Sequence, residues 1–114
     1  MAAVTDEFMR DMLATSKPYT LVLLRATPKL REPGMDAVVW EHGRRNFSLR
    51  AEGVLAIVCP IRDGSEWTGV GIFNAPADEV ARTMDDDPGV QAGIFTYEVH
   101  TTRSFPGDCL PADS

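Results

Sequence analysis

WEHGRRNFSLRAEGVLAIVCPIRD, residues Trp40–Asp63, is the stretch whose reading decides the fold. It reads as the end of a helix carrying His42, a glycine stop at Gly53, an unbroken apolar strand Val54–Cys59 and a corner Pro60–Asp63. Asp63–Gly64 suits a tight reversal, so Trp67–Phe73 is expected to return antiparallel as the second arm of a hairpin. The corner also brings a carboxylate, Asp63, back toward the helix that bears His42. The pattern is a helix feeding a buried hairpin, with a candidate histidine–carboxylate pair where the two meet.

Upstream, Tyr19–Ala26 contains the run Leu21–Val22–Leu23–Leu24 and reads as a strand buried on both faces. Thr27–Gly34, with Pro28, Pro33 and Gly34, is a loop. The helix follows from about Met35 to Glu52, with Asp36 near its positive end. Its apolar stripe runs Met35, Val38, Val39, His42 and on past Asn46 to Leu49, which places His42 on the inward face. Before the first strand, Thr5 caps a short helix whose apolar residues Phe8, Met9, Met12 and Leu13 fall three and four apart. Ser16–Lys17–Pro18 ends it.

Downstream of the hairpin, Asn74 or Ala75 is expected to cap a third helix with Pro76 in its first turn and Ala77, Val80, Ala81 and Met84 as its buried stripe. Three aspartates, Asp85–Asp87, crowd its negative end, and Asp87 has a structural reading as the cap of a turn starting at Pro88. Gln91–His100 is the last strand. The order strand, helix, strand, strand, helix, strand predicts an α+β ferredoxin-like βαββαβ domain. Its four-stranded antiparallel sheet carries helices on one face. The expected organisation is a helical extension over 1–17, the domain over 18–103 and a polar tail over 104–114. Because Leu21–Leu24 and Val54–Cys59 are apolar on both sides, the open face needs cover, and a second copy packed sheet to sheet supplies it better than the small N-terminal helix.

The 114 residues make one domain. A net charge of −6 opposes nucleic acid as a partner, and Arg44, Arg45 and Arg50 fit the solvent side of a helix. There is no apolar run of membrane-spanning length, and the N-terminus has acids where a signal peptide is basic, so a cytoplasmic protein is expected. Cys59 and Cys109 are read as reduced. No metal-ligand spacing and no glycine-rich phosphate loop after a strand is present, so neither metal nor cofactor is expected. Gly69 and Gly71 fall inside a strand, where they permit a bulge or a close approach at a pocket.

His42, Gly53, the apolar strand ending at Pro60, Asp63, and Asp87–Pro88 shortly before Gly93 together resemble the YCII-related family over roughly Tyr19 to Arg103. The resemblance implies a dimeric α+β barrel built from ferredoxin-like units, with His42 and Asp63 as a His–Asp pair and Asp87 as a further polar group near the cavity. Cys59 stands where family members commonly have glycine, a side chain that narrows or fills the pocket. Relatives in the wider superfamily include muconolactone isomerases, and some YCII-like proteins are linked to dehalogenation of chlorinated hydroxyaromatics.

In chemical terms, a histidine titrates near neutrality, and a carboxylate on one ring nitrogen fixes the tautomer that frees the other. His42 as base and Asp63 as orienter suit a lyase, isomerase or dehalogenase step on a small hydroxyaromatic or lactone-like substrate, with Asp87 and Cys59 as substrate-binding residues. Two readings stand beside it: a cavity that holds a metabolite without turnover, and a structural homodimer in which His42 is a satisfied core histidine. His100, at a strand end, reads as a surface residue. Trp40, Phe47, Trp67, Phe73, Phe95 and Tyr97 read as core or dimer interface.

Overall fold

The computed structural model describes residues 1–112. Its elements are helix α1 (Asp6–Thr15), strand β1 (Lys17–Ala26), a 3-10 turn over Pro28–Arg31, and helix α2 (Met35–Ala51). Strands β2 (Leu55–Pro60) and β3 (Trp67–Phe73), helices α3 (Ala77–Asp85) and α4 (Pro88–Gln91), and strand β4 (Phe95–Ser104) follow. The sheet is antiparallel in the order β2-β3-β1-β4. This is the expected ferredoxin-like arrangement, with one extra helix in front.

Strand alternation divides the sheet into two unlike faces. Thr20, Val22 and Leu24 of β1 lie opposite Phe73, Gly71 and Gly69 of β3, and residues directly opposite share a face. On this inner face Val22, Leu24, Leu55 and Phe73 pack against Val80 and Met84 of α3, with Ile94 and Phe95 completing the core. Thr20 is the one polar β1 residue buried there, and its Oγ1 donates to the Ala75 carbonyl at 2.7 Å. Leu21 and Leu23, opposite Ile72 and Val70, lie on the other face and are only half-buried. Among the described residues α2, α3 and α4 make the principal helix contacts with the sheet, and α1 is not one of them. No helix among the described residues is long and apolar enough to cross a membrane.

Several boundaries differ from the sequence reading, each for a local reason. Pro60 stays in the ladder, opposite Gly69, because β2 is an edge strand and a missing N–H on the open side costs nothing. Pro76 is itself the N-cap of α3 and gives no side-chain cap bond. The last strand starts at Phe95 rather than Gln91, since the turn capped by Asp87 runs on through Gln91 and Gly93 breaks it with φ 76°. It then continues to Ser104, so the tail starts at Phe105, and positions 113–114 of the tail lie outside the described residues.

Helix α1 is capped as expected, with Phe8 N–H donating to Thr5 Oγ1 at 3.1 Å. It has no buried residue, and Phe8 and Leu13 remain 53% and 56% exposed. Its root is nonetheless fixed, because Arg103 Nη2 donates to the Ser16 carbonyl at 2.7 Å and Nε to Ser16 Oγ at 3.1 Å. A radius of gyration of 16.5 Å exceeds the about 13 Å of a compact chain of this length, as a projecting helix requires.

Candidate active site

Helix α2 holds no fully buried residue. Between it and the inner face of the sheet lies a cavity of about 950 Å³, within the size range of small-molecule sites. Val39, His42, Gly43, Asn46, Phe47 and Arg50 line it from α2, and Val22, Leu24, Leu55, Val58 and Phe73 from the sheet. Glycines help keep it open. A Cβ at Gly43 would meet nothing within 4 Å, whereas one at Gly71 would come 3.0 Å from the Phe73 ring and 3.2 Å from Leu55. Gly71 is therefore a close approach, and the β1–β3 register shifts just beyond Gly69, between Leu24 and Arg25.

The polar centre of the cavity wall is His42. Its Nδ1 lies 2.8 Å from Oδ1 and 2.9 Å from Oδ2 of Asp87. The Asp87 side chain is 1% exposed and that of His42 12%. Asp87 begins α4, and its Oδ2 also accepts from the Gly89 and Val90 N–H groups at 2.9 and 3.2 Å. The capping role read for Asp87 is thus present, and the same carboxylate holds the histidine. Burial alone would push the Asp87 carboxyl up, but the His42 hydrogen bond, its charge and the two backbone donors hold it below the ordinary value of 3.8. Arg45 Nη1 lies 3.8 Å from the same Oδ1.

This corrects the pairing expected from sequence. Asp63 is exposed and is absent from the cavity wall, and its Oδ1 accepts from Ser65 N–H at 2.9 Å. The hydroxyl and backbone of Ser65 hold its carboxyl below the usual value. It is a turn residue of the local kind. Cys59 lines the cavity at the β2 position opposite Val70, which lines it as well. The arginine cluster also divides: Arg44 bonds Glu41 in solvent, Arg45 turns to Asp87, and Arg50 lines the cavity. Trp40 and Phe47 are exposed rather than core. Both cysteines are free, and Cys109 and Leu110 of the tail also line the cavity.

Two further residues complete the site. Asn46, one helical turn after His42, lies with Nδ2 3.3 Å from His42 Nε2. In the neutral tautomer whose Nδ1–H donates to Asp87, Nε2 is an acceptor that Asn46 Nδ2–H meets. Phe95 sets the other side of the ring, its centroid 4.8 Å from that of His42 at an interplanar angle of 52°. The i, i+4 spacing of His42 and Asn46 is visible in the sequence. The Phe95 contact is not, because it depends on how β4 follows α4.

A ferredoxin-like α+β domain with a half-open cavity and a carboxylate-bound histidine on its wall is what the fold and site define. No family model matches the chain, and no curated protein is similar to it in sequence. Among solved structures it is similar to 5-chloro-2-hydroxyhydroquinone dehydrochlorinase (TftG) of Burkholderia phenoliruptrix AC1100 in complex with 2,5-dihydroxybenzoquinone. That match has 18% identity and a TM-score of 0.49, over 72% of this chain and 90% of that one. It is also similar to the methylated RPA0582 protein, with 13% identity and a TM-score of 0.42 over 93% of this chain and 96% of that one.

Proposed function

We propose that the chain is a small-molecule enzyme in which His42 is the general base and acid and Asp87 its positioning residue. The observation that carries this reading is the bond from His42 Nδ1 to the buried Asp87 carboxylate, made on the wall of a cavity of about 950 Å³. A carboxylate on Nδ1 selects the tautomer whose Nε2 accepts a proton, and the imidazolium that results is stabilised by the same carboxylate. The reaction class is removal or relocation of a proton from an acidic C–H or O–H, as in a lyase, isomerase or dehalogenase step on a hydroxyaromatic or lactone-like molecule. Asn46 yields its hydrogen bond to Nε2 when substrate presents a proton there.

The sequence resemblance to the YCII-related family supports the same class, with Asp87 taking the part first given to Asp63. The assembly in this reading is a homodimer through the outer sheet face, where Leu21, Leu23, Val70 and Ile72 await cover. The test is turnover of a panel of hydroxyaromatic and lactone substrates by wild-type protein and His42→Ala. Activity should fall about 10²–10⁴-fold in the variant. Equal turnover by both proteins would remove His42 from the chemistry. Binding without turnover by either would favour a ligand-binding module.

A further inference from the structure

Few polar side chains of the cavity wall are shielded from solvent. Among the described residues Arg50, Cys59, Arg62 and Cys109 of the wall are exposed, and only His42, Asn46 and Thr68 are half-buried. Thr68 is committed to the sheet, its Oγ1 donating to the Leu24 carbonyl at 3.3 Å. Asn46 is committed only to His42. Its Nδ2 lies 3.3 Å from His42 Nε2, against 2.8 and 2.9 Å for the Asp87 oxygens at Nδ1, so it is the weaker of the two attachments of the ring. Asn46 Oδ1 has no hydrogen-bonding partner among the described residues. Asparagine is also a poor helix former, yet it stands in the interior of α2.

We infer that Asn46 binds the substrate, donating Nδ2–H to the oxygen that becomes negative when His42 Nε2 takes the proton. The inference deepens the proposed function and rests on it for His42 as the base. In the neutral ring with Nδ1–H on Asp87, Nε2 accepts from Asn46. Once protonated, Nε2 is itself a donor, and the Asn46 N–H faces it with no lone pair to meet. The same step creates a new acceptor beside it. The proton passes from a substrate O–H, or from a C–H next to a carbonyl, to Nε2; the electron pair stays on the substrate and the charge rests on its oxygen. A hydrogen bond from Nδ2–H to that oxygen strengthens as the charge develops, so it favours the transition state over the ground state. His42 and Asn46, one turn apart on one face of α2, set the two contacts side by side.

The test uses 4-nitrophenol, an acidic hydroxyaromatic whose visible absorbance belongs to its anion, titrated into the full chain just below the pH at which the free probe ionises. Wild type is expected to bind it as the phenolate, with the amide NMR signals of Gly43, Gly69 and Gly71 reporting binding at the cavity wall. In Asn46→Ala and Asn46→Asp the bound ratio of phenolate to phenol should fall about tenfold or more, as for loss of one hydrogen bond to a charged oxygen. Alanine is the better helix former, so α2 is kept in Asn46→Ala. A role confined to His42 gives other results. If Asn46 only donates to the neutral ring, Asn46→Ala makes the ring the better base and raises the ratio; if it accepts from the protonated ring, Asn46→Asp preserves the ratio. Either result, or a wild type that binds the probe uncharged or not at all, would overturn the proposal. His42→Ala separates it from the catalytic reading. Phenolate lost in His42→Ala but unchanged in Asn46→Ala upholds the base and overturns the part given to Asn46. Phenolate kept in His42→Ala but lost in Asn46→Ala removes His42 as the base and upholds Asn46 as the contact for the anion.

Discussion

The ring of Phe95 occupies the space that a Cβ on Gly89 would need: such an atom would fall inside contact distance of ring carbons Cδ2 and Cε2 and 3.1 Å from Asp87 Oδ2. Gly89 is buried and is not one of the glycines with positive φ, so the demand for glycine here is one of packing. Gly89→Ala should therefore destabilise the protein by about 1–3 kcal/mol in urea unfolding, as overpacking does. Gly43→Ala should act in the opposite direction, by about 0.5–1 kcal/mol, because its methyl group meets open space within a helix. Equal effects of the two substitutions would mean that the Phe95 contact is not what constrains Gly89.

Replacing Asp87 by Asn tests the orienting bond while retaining a residue that caps helices as well as Asp does. Nitrogen NMR of the imidazole should show the Nδ1–H tautomer of His42 in the wild type and a mixture in Asp87→Asn. Asp63→Asn should leave the spectrum of His42 unchanged, since Asp63 bonds only its own turn. A change in Asp63→Asn with none in Asp87→Asn would restore the pairing first read from the sequence.

The same carboxylate sets a pH dependence of stability. Asp87 ionises below its ordinary value of 3.8 in the fold, so the unfolded chain binds the proton more readily than the folded one. Its stabilising contribution is complete above 3.8 and is lost as pH falls through the lower, folded value. Urea unfolding of the wild type should therefore weaken across this acid window more steeply than that of Asp87→Asn. Parallel profiles would count against it.

At the alkaline end, Tyr97 carries the corresponding signature. Its hydroxyl donates to Asp85, with the Ala81 carbonyl 3.2 Å away, and the Asp85 bond, with burial second, pushes its pKa up to about 12. The folded state thus keeps the phenol proton longer than the unfolded state. The contribution is present below the ordinary value of 10.0 and is lost as pH rises through about 12. Ring carbon NMR of Tyr97 should show the late transition, and Asp85→Asn should bring it down.

For the assembly, sedimentation in solution should show a dimer for the wild type. Leu23→Glu, on the outer face opposite Val70, should yield a folded monomer with an unchanged far-ultraviolet spectrum. A monomeric wild type would leave the face uncovered and remove the basis for sheet-to-sheet packing.

The alternation of strand and helix was legible because Leu21–Leu24 and Val54–Cys59 are short apolar runs and α2 is bounded by Gly34 and Gly53, both with positive φ. The hairpin was legible down to the residues of β3. The partner of His42 was misread because the corner after β2 and the family resemblance favoured Asp63, whereas Asp87 reaches the ring through the packing of α4 against α2. Asp87 was read both as a cap and as a polar group near the cavity, but not as the residue bonded to His42. A carboxylate has two oxygens and several lone pairs, enough to serve a helix start and a histidine at once. The size of the cavity was not legible, since it arises from what α2 fails to fill. The exposure of Trp40 and Phe47 likewise depends on how far that helix stands from the sheet.

Both margins of the sheet are protected against uncontrolled polymerisation. At one margin β2 ends in Pro60, which offers no N–H to an incoming strand. At the other, β4 is ten residues long and offers an inviting template, but Glu98 and His100, bonded to each other at 2.9 Å, interrupt it with polar side chains, and Arg103 is tied back to Ser16. Growth by adding strands is thereby discouraged at either end. Substitutions that make β4 uniformly apolar should turn a well-behaved molecule into one that forms fibres, even with its cavity and helices intact.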